Sequence, residues 1–245
     1  MIRKHAQICA ISALILCTAV NGKKGGTAEF WHGIDRDSTT KHIAESVQLE
    51  PAALQEALAF WKWKYDHHVP TWQPDYKIVS DIIRAHKCKI GCEVGLAFGT
   101  QSVHILEHTN VTLLHSIDPY IPYDNGTFPK GATAQWMDVL ALIVKARLAQ
   151  FGDRSNFIRA TSLDAAAQFT DYSLDFVYVD GDHSYEAVSA DLRAWYPKVT
   201  VGGILIGDDY TNRFPGLKNA VDEFVRGNRL KITHHAGGKY VIVRK

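Results

Sequence analysis

Short apolar runs alternating with amphipathic stretches constrain this chain more than any other feature. The runs "KIGCEV" (89–94), "TLLHSI" (112–117), "SNFIRA" (155–160), "LDFVYV" (174–179) and "GILIG" (203–207) are too short for ordinary helices and are bounded by turn residues, so they read as buried strands. Helical spacing fills the intervals. Trp136, Val139, Leu140, Ile143 and Ala146 share one face of 132–149; Tyr185, Val188, Leu192 and Trp195 share one face of 185–196, ahead of Pro197. Strand–helix–strand repetition of this kind predicts an α/β fold, a parallel sheet covered on both faces with right-handed crossovers. The last stretch, "LKITHHAGGKYVIVRK", breaks the pattern: two β-rich runs joined by Ala-Gly-Gly predict an antiparallel hairpin at a sheet edge.

The chain has 245 residues, 46% of them hydrophobic and 22% charged, which suffices for one substantial core. Its formal charge is +1, and no basic run carries interleaved aromatics, so nucleic acid is not the expected partner. Residues 1–22 pair a basic start with an apolar segment at 6–20 and small or polar residues after it. That is the layout of a signal-like or anchor segment, too short for an ordinary membrane span, and it points to export or to membrane association through 6–20. Residues 23–74 then read as a linker and N-terminal helical arm, with a helix over 51–65 and turn material in "DHHVPTWQP"; residues 75–245 form the main domain. Cys88 and Cys92, with no second pair nearby, are expected to be reduced core thiols.

Ligands of parallel α/β sheets bind beyond the carboxyl ends of the strands. After the first run, "EVGLAFGTQS" places Gly95 and Gly99 where a tight turn and the next helix could approach an anionic or polar ligand. The spacing is not the G-x-G-x-x-G of a dinucleotide site, and a plain turn would look the same. Asp118 ends the second run in "SIDPY", where a carboxylate can accept both hydroxyls of a ribose. Asp180 ends the fourth run, and Asp208 and Asp209 end the fifth. On adjacent parallel strands these carboxylates would repel one another unless a cation neutralised them, and an all-oxygen set suits magnesium or a similar divalent ion.

Taken in order, "CEVGLAFGTQS", "SIDPY", "LDFVYVDGDHSYEAVSADLRAWYPKVTVGGILIGDDY" and "PGLKNAVDEF" resemble the class I S-adenosylmethionine-dependent methyltransferases over residues 75–245. The D-G-D-H-S-Y-E block looks most like one subgroup of them, with metal-dependent sugar O-methyltransferases such as macrocin O-methyltransferase as more distant relatives. The resemblance implies a Rossmann-like three-layer sandwich whose mostly parallel seven-stranded sheet has an antiparallel last strand. It implies S-adenosyl-L-methionine as cofactor, with Glu93 at the methionine amino end, Gly95 and Gly99 lining the methionine moiety, Gln101 donating to its carboxylate, Asp118 on the ribose and Ser162 near the adenine. Asp180 would serve both cofactor and metal, Asp208 and Asp209 would complete the metal ligands, and Asp182 would be the general base, with His183 taking that role if Asp182 caps the following helix.

The implied chemistry is methyl transfer to a small hydroxylated, sugar-like acceptor. The aromatic-rich segments 60–72 and 120–136 are candidates for a lid or acceptor wall, or for anchors of the N-terminal helix. Partners are a small-molecule acceptor and, as an open alternative, a further copy of the chain in a homo-oligomer. The cofactor favours the cytoplasm, in tension with the signal-like segment. Two other readings compete: a metal-dependent hydrolase using the Asp/His cluster, against which Asp118 argues, and a non-catalytic cell-envelope binding module.

Overall fold

The computed structural model describes residue 43 and residues 45–123 and 130–245. The signal-like segment and most of the linker lie outside the described residues, as do 124–129 of the second aromatic-rich segment. Among the described residues no helix is long and apolar enough to cross a membrane.

The chain divides into two compact units. One comprises the described residues up to Thr71, together with 120–122 and 131–152. It holds most of helix α1 (Pro51–Ala85) and all of α3 (Ala134–Ala149). Helix α3 is capped by the Thr133 side chain, which accepts from Trp136 N, and it buries Met137, Val139, Leu140, Ile143, Val144 and Leu148. Within this unit Trp61 is fully buried and donates its indole N–H to the Trp136 carbonyl at 2.7 Å, while Phe60 packs on the Trp136 ring at 5.0 Å. Trp61 therefore joins α1 to α3 as an anchor; Trp63, 53% exposed, stacks on His67 and has Lys64 Nζ over its ring at 5.7 Å.

Helix α1 corrects the sequence reading, which ended it at residue 65 because Pro70 and Pro74 follow. Proline removes one rung of the helical ladder and crowds the preceding turn, yet the helix runs to Ala85. Apolar residues at helical spacing carry it onward, with Val69, Val79, Ile82 and Ile83 all buried. Its last turns are also tied to α2 (Thr100–His108) by a polar ladder with a four-residue step: Tyr76 to Thr100 at 2.6 Å, Ser80 to His104 at 2.8 Å, and Arg84 to the His108 carbonyl at 2.8 Å.

The second unit holds the sheet. Its strands are β1 (Ile90–Val94), β2 (Leu113–Ile117), β3 (Ser155–Ile158), β4 (Leu174–Val179), β5 (Val199–Gly207), β6 (Ile232–His234) and β7 (Tyr240–Val243), in the order β3-β2-β1-β4-β5-β7-β6. The first five are mutually parallel, and β7 runs antiparallel to both β5 and β6. This is the Rossmann-like arrangement expected, hairpin included. The largest boundary shifts are at β3, which stops at Ile158, and at β5, which begins four residues before the predicted run, at Val199.

Side chains alternate across the sheet. Cys92, Val94, Val177, Val179, Leu205 and Ile242 join a core with α4 (Ser162–Ala166), α5 (Tyr185–Trp195) and α6 (Pro215–Gly227). From α5 that core takes Val188, Leu192 and Trp195, each worth roughly 1.5–3 kcal/mol when fully buried. Glu93 points to the opposite face, toward Ser102 of α2. Both Cys88 and Cys92 are free and buried.

Candidate functional site

The parallel register sets the site. Val94 pairs with both Ile117 and Val179, and Val179 pairs with Gly207, so the residues that follow β1, β2, β4 and β5 leave the sheet at one level. Those residues are Gly95, Asp118, Asp180 and Asp208.

Gly95 has φ +89, and a Cβ there would stand 2.0 Å from the Asp180 carbonyl oxygen. No side chain fits between the two strand tips. Its amide donates to the Ile117 carbonyl at 2.9 Å. Gly99, at φ 65, caps α2 in the left-handed conformation. Asp118 Oδ2 accepts from Leu96 N at 2.9 Å, which ties the acidic tip of β2 to the glycine turn of β1. Glu93 is 1% exposed and its Oε2 accepts from Ser102 at 2.5 Å; burial holds this carboxyl well above the usual range, only partly offset by that hydrogen bond.

Two expected cofactor contacts have other partners. Gln101 is buried and its amide donates to the Tyr76 carbonyl at 3.4 Å. Ser162 donates to Asp191 Oδ1 at 2.5 Å and accepts from Trp195 Nε1 at 2.8 Å, which binds α4 to α5. Asp191 is pushed up to about 6 by burial, despite the Ser162 hydrogen bond.

The two aspartates after β5 diverge. Asp209 adopts φ 54, a left-handed conformation uncommon outside glycine, and consecutive side chains thereby face different neighbours. Asp208 turns to Lys239, whose Nζ lies 2.7 Å from its carboxylate oxygens, and to Tyr178, whose hydroxyl donates at 2.7 Å. Lys239 is 3% exposed and also approaches Asp75 at 3.6 Å. Burial and the charge of Asp180 push the Asp208 carboxyl up, against the pull of Lys239. For Lys239 burial opposes the charged form, but Asp208, Asp180 and Asp75 outweigh it and raise the ammonium above its ordinary range.

Asp209 turns instead to His183. The imidazole Nε2 lies 3.3 Å from Asp209 Oδ2 and 3.5 Å from Asp180 Oδ1, yet it is buried and makes no hydrogen bond. Asp180, His183 and Asp209 can each present one ligand atom within 4.8 Å of the others. Of the expected set, Asp180 and Asp208 share the Tyr178 hydroxyl, at 3.2 and 2.7 Å, while Asp180 and Asp209 converge on His183. Asp182 accepts from Ser184 N at 2.8 Å, and the cap of α5 is Ser184, which accepts from Ala187 N. Tyr123 faces the same charges: its hydroxyl is pushed up to about 12 by burial and by Asp118, Asp182 and Asp180.

Sequence reasoning missed Tyr178 and Lys239. Tyr178 had a signal, since two residues before Asp180 on a strand means the same face. Lys239, a lone cation ahead of the apolar run "YVIV", had none beyond its incongruity.

Residues 92–210 match a family model described as a methyltransferase domain. The matched segment runs from β1 to the turn after β5 and carries Gly95, Asp118, Asp180, Asp208 and Asp209. The fold is shared with solved structures of low identity. An O-methyltransferase from Bacillus cereus in complex with SAH aligns with a TM-score of 0.53 and 13% identity over 84% of this chain and 97% of that one. The O-methyltransferase NovP aligns with a TM-score of 0.52 and 22% identity over 70% and 78%. No curated protein matches the chain.

Proposed function

We propose that this chain is a class I S-adenosylmethionine-dependent methyltransferase, which transfers the methyl group to a hydroxyl of a small, sugar-like acceptor, aided by a divalent cation. The observation that carries the reading is the Gly95–Asp118–Asp180 junction. The glycine turn lets the β1 and β4 tips close on one another at the ligand end of the sheet, and the acidic tip of β2 beside it suits a ribose diol. Gly95 and Gly99 would admit the methionine part, with Glu93 beneath it. Roles at Gln101 and Ser162 would require their present hydrogen bonds to open.

The residues beside this junction fit a cation. Two carboxylates converge on a buried imidazole nitrogen that has no hydrogen bond of its own, a donor set that a positive ion would satisfy. A bound divalent ion would orient two neighbouring acceptor oxygens and lower a hydroxyl pKa. Asp180, Asp209 and His183 would hold it.

The sulfonium already activates the methyl group, so the protein must align a hydroxyl and take its proton. Asp182, oriented by Ser184 N, is the proposed acceptor. Tyr123, which feels the charges of the same carboxylates, would border the acceptor.

Calorimetry with S-adenosylhomocysteine tests the donor half. Binding by the wild type, weakened about tenfold to a hundredfold in Asp118→Ala through loss of hydrogen bonds to a charged group, is expected; a wild type that does not bind would refute methyl transfer. Turnover that survives exhaustive chelation would remove the cation and leave the transfer.

A further inference from the structure

Building on the cation in the proposed function, we propose that Lys239 takes Asp208 out of the ligand set. What remains is a mixed carboxylate–imidazole site of Asp180, Asp209 and His183, which favours a borderline transition ion such as manganese(II) over magnesium.

The argument begins with the lone pairs of Asp208. A carboxylate offers about four acceptor positions. Oδ1 accepts from Lys239 Nζ at 2.7 Å and from Asp209 N at 2.6 Å; Oδ2 accepts from Tyr178 Oη, shared with Asp180, at 2.7 Å and lies 2.7 Å from Lys239 Nζ in the ion pair. Both oxygens are therefore engaged, and the charge is matched by a lysine that is itself almost fully buried. Freeing it for a metal would leave that ammonium without its closest counter-charge, the costly outcome for a buried pair.

A second, independent observation concerns His183. Its Nε2 is buried, lacks a hydrogen bond, and lies between Asp180 and Asp209 at ligand-forming separations. With Asp208 cancelled by Lys239, Asp180 and Asp209 supply two negative charges, the match for a divalent ion. Magnesium prefers all-oxygen surroundings, whereas an imidazole nitrogen among carboxylates suits manganese, iron, cobalt or zinc.

The test uses the full chain, stripped with chelator and loaded with one equivalent of manganese(II) at about pH 8, because metal binding to an imidazole displaces its proton. Electron spin echo envelope modulation should show nitrogen coupling in the wild type. His183→Gln should abolish that coupling and weaken manganese binding about tenfold or more, while Asp208→Asn, which keeps an acceptor for Lys239, should retain both within about threefold. Magnesium should compete only at about tenfold or greater excess.

Absence of nitrogen coupling in the wild type overturns the inference. So does loss of manganese binding in Asp208→Asn with retention in His183→Gln. If the wild type binds no manganese, the inference and the cation fall together, while S-adenosylhomocysteine calorimetry on the same sample reports separately on the methyl donor. That measurement also establishes that each variant is folded.

Discussion

Lys239 Nζ and the Asp208 carboxylate meet at 2.7 Å in a pair whose side chains are only 3% and 13% exposed. Burial makes such pairs asymmetric: the intact pair adds little, but removing one member strands a charge. Lys239→Met should therefore destabilise the fold by about 3–5 kcal/mol, and the double variant Lys239→Met/Asp208→Leu by much less. Denaturant melts of the cycle measure the coupling. Additive losses would mean that the two groups do not depend on each other.

The contact of Gly95 with the Asp180 carbonyl leads to a second prediction. A methyl group at 2.0 Å, added to a φ of +89, cannot be absorbed by side-chain movement because the obstacle is backbone. Gly95→Ala should cost about 2–4 kcal/mol and separate the β1 and β4 tips. Thermal unfolding gives the stability, and S-adenosylhomocysteine affinity should fall in parallel. A variant with unchanged melting and binding would show that the tips are not closed.

Ser162 tests whether its hydroxyl is occupied by structure or by ligand. Ser162→Ala removes the donor to Asp191 and the acceptor for Trp195, leaving a buried carboxyl short of one partner, and should cost about 1–3 kcal/mol. If the network with Asp191 is its main role, S-adenosylhomocysteine affinity stays within about threefold once folding is accounted for. A larger selective loss of affinity would return Ser162 to the adenine.

His104 makes stability depend on pH. Burial, then the stacked His108 and Arg84, lower it to about 4 from an ordinary 6.5. Between those values the unfolded chain binds more protons, so the contribution is fully present above about pH 6.5 and is lost as pH falls toward 4. The ring is partly exposed, so solvent screening limits the effect to something on the order of 1 kcal/mol. Melts across this range should flatten in His104→Gln relative to the wild type. An equally steep profile in the variant would assign the dependence elsewhere.

What the sequence disclosed follows from the range of the interactions involved. β4 was legible because a strand buried on both faces is mostly apolar, as "LDFVYV" is apart from Asp175 near its start, and the hairpin because Ala-Gly-Gly separates two β-rich runs. Asp118, Asp180 and Asp208 could be placed at strand tips by counting alone. The path of α1 past Pro70 was not legible, since contacts with α2 hold that stretch and lie outside any local window. The split between Asp208 and Asp209 was hidden for the same reason: a backbone flip and a lysine from β7's leading edge decide it.

The position of Lys239 also gives the site a history. Asp180 and Asp209 precede it in the chain, so during vectorial synthesis the acidic strand tips exist before their internal counter-ion does. Until the β6–β7 hairpin closes on β5, Asp208 has only Tyr178 and a neighbouring amide to meet its charge. The hairpin that looks like an edge decoration is the latch that completes the sheet's charged end.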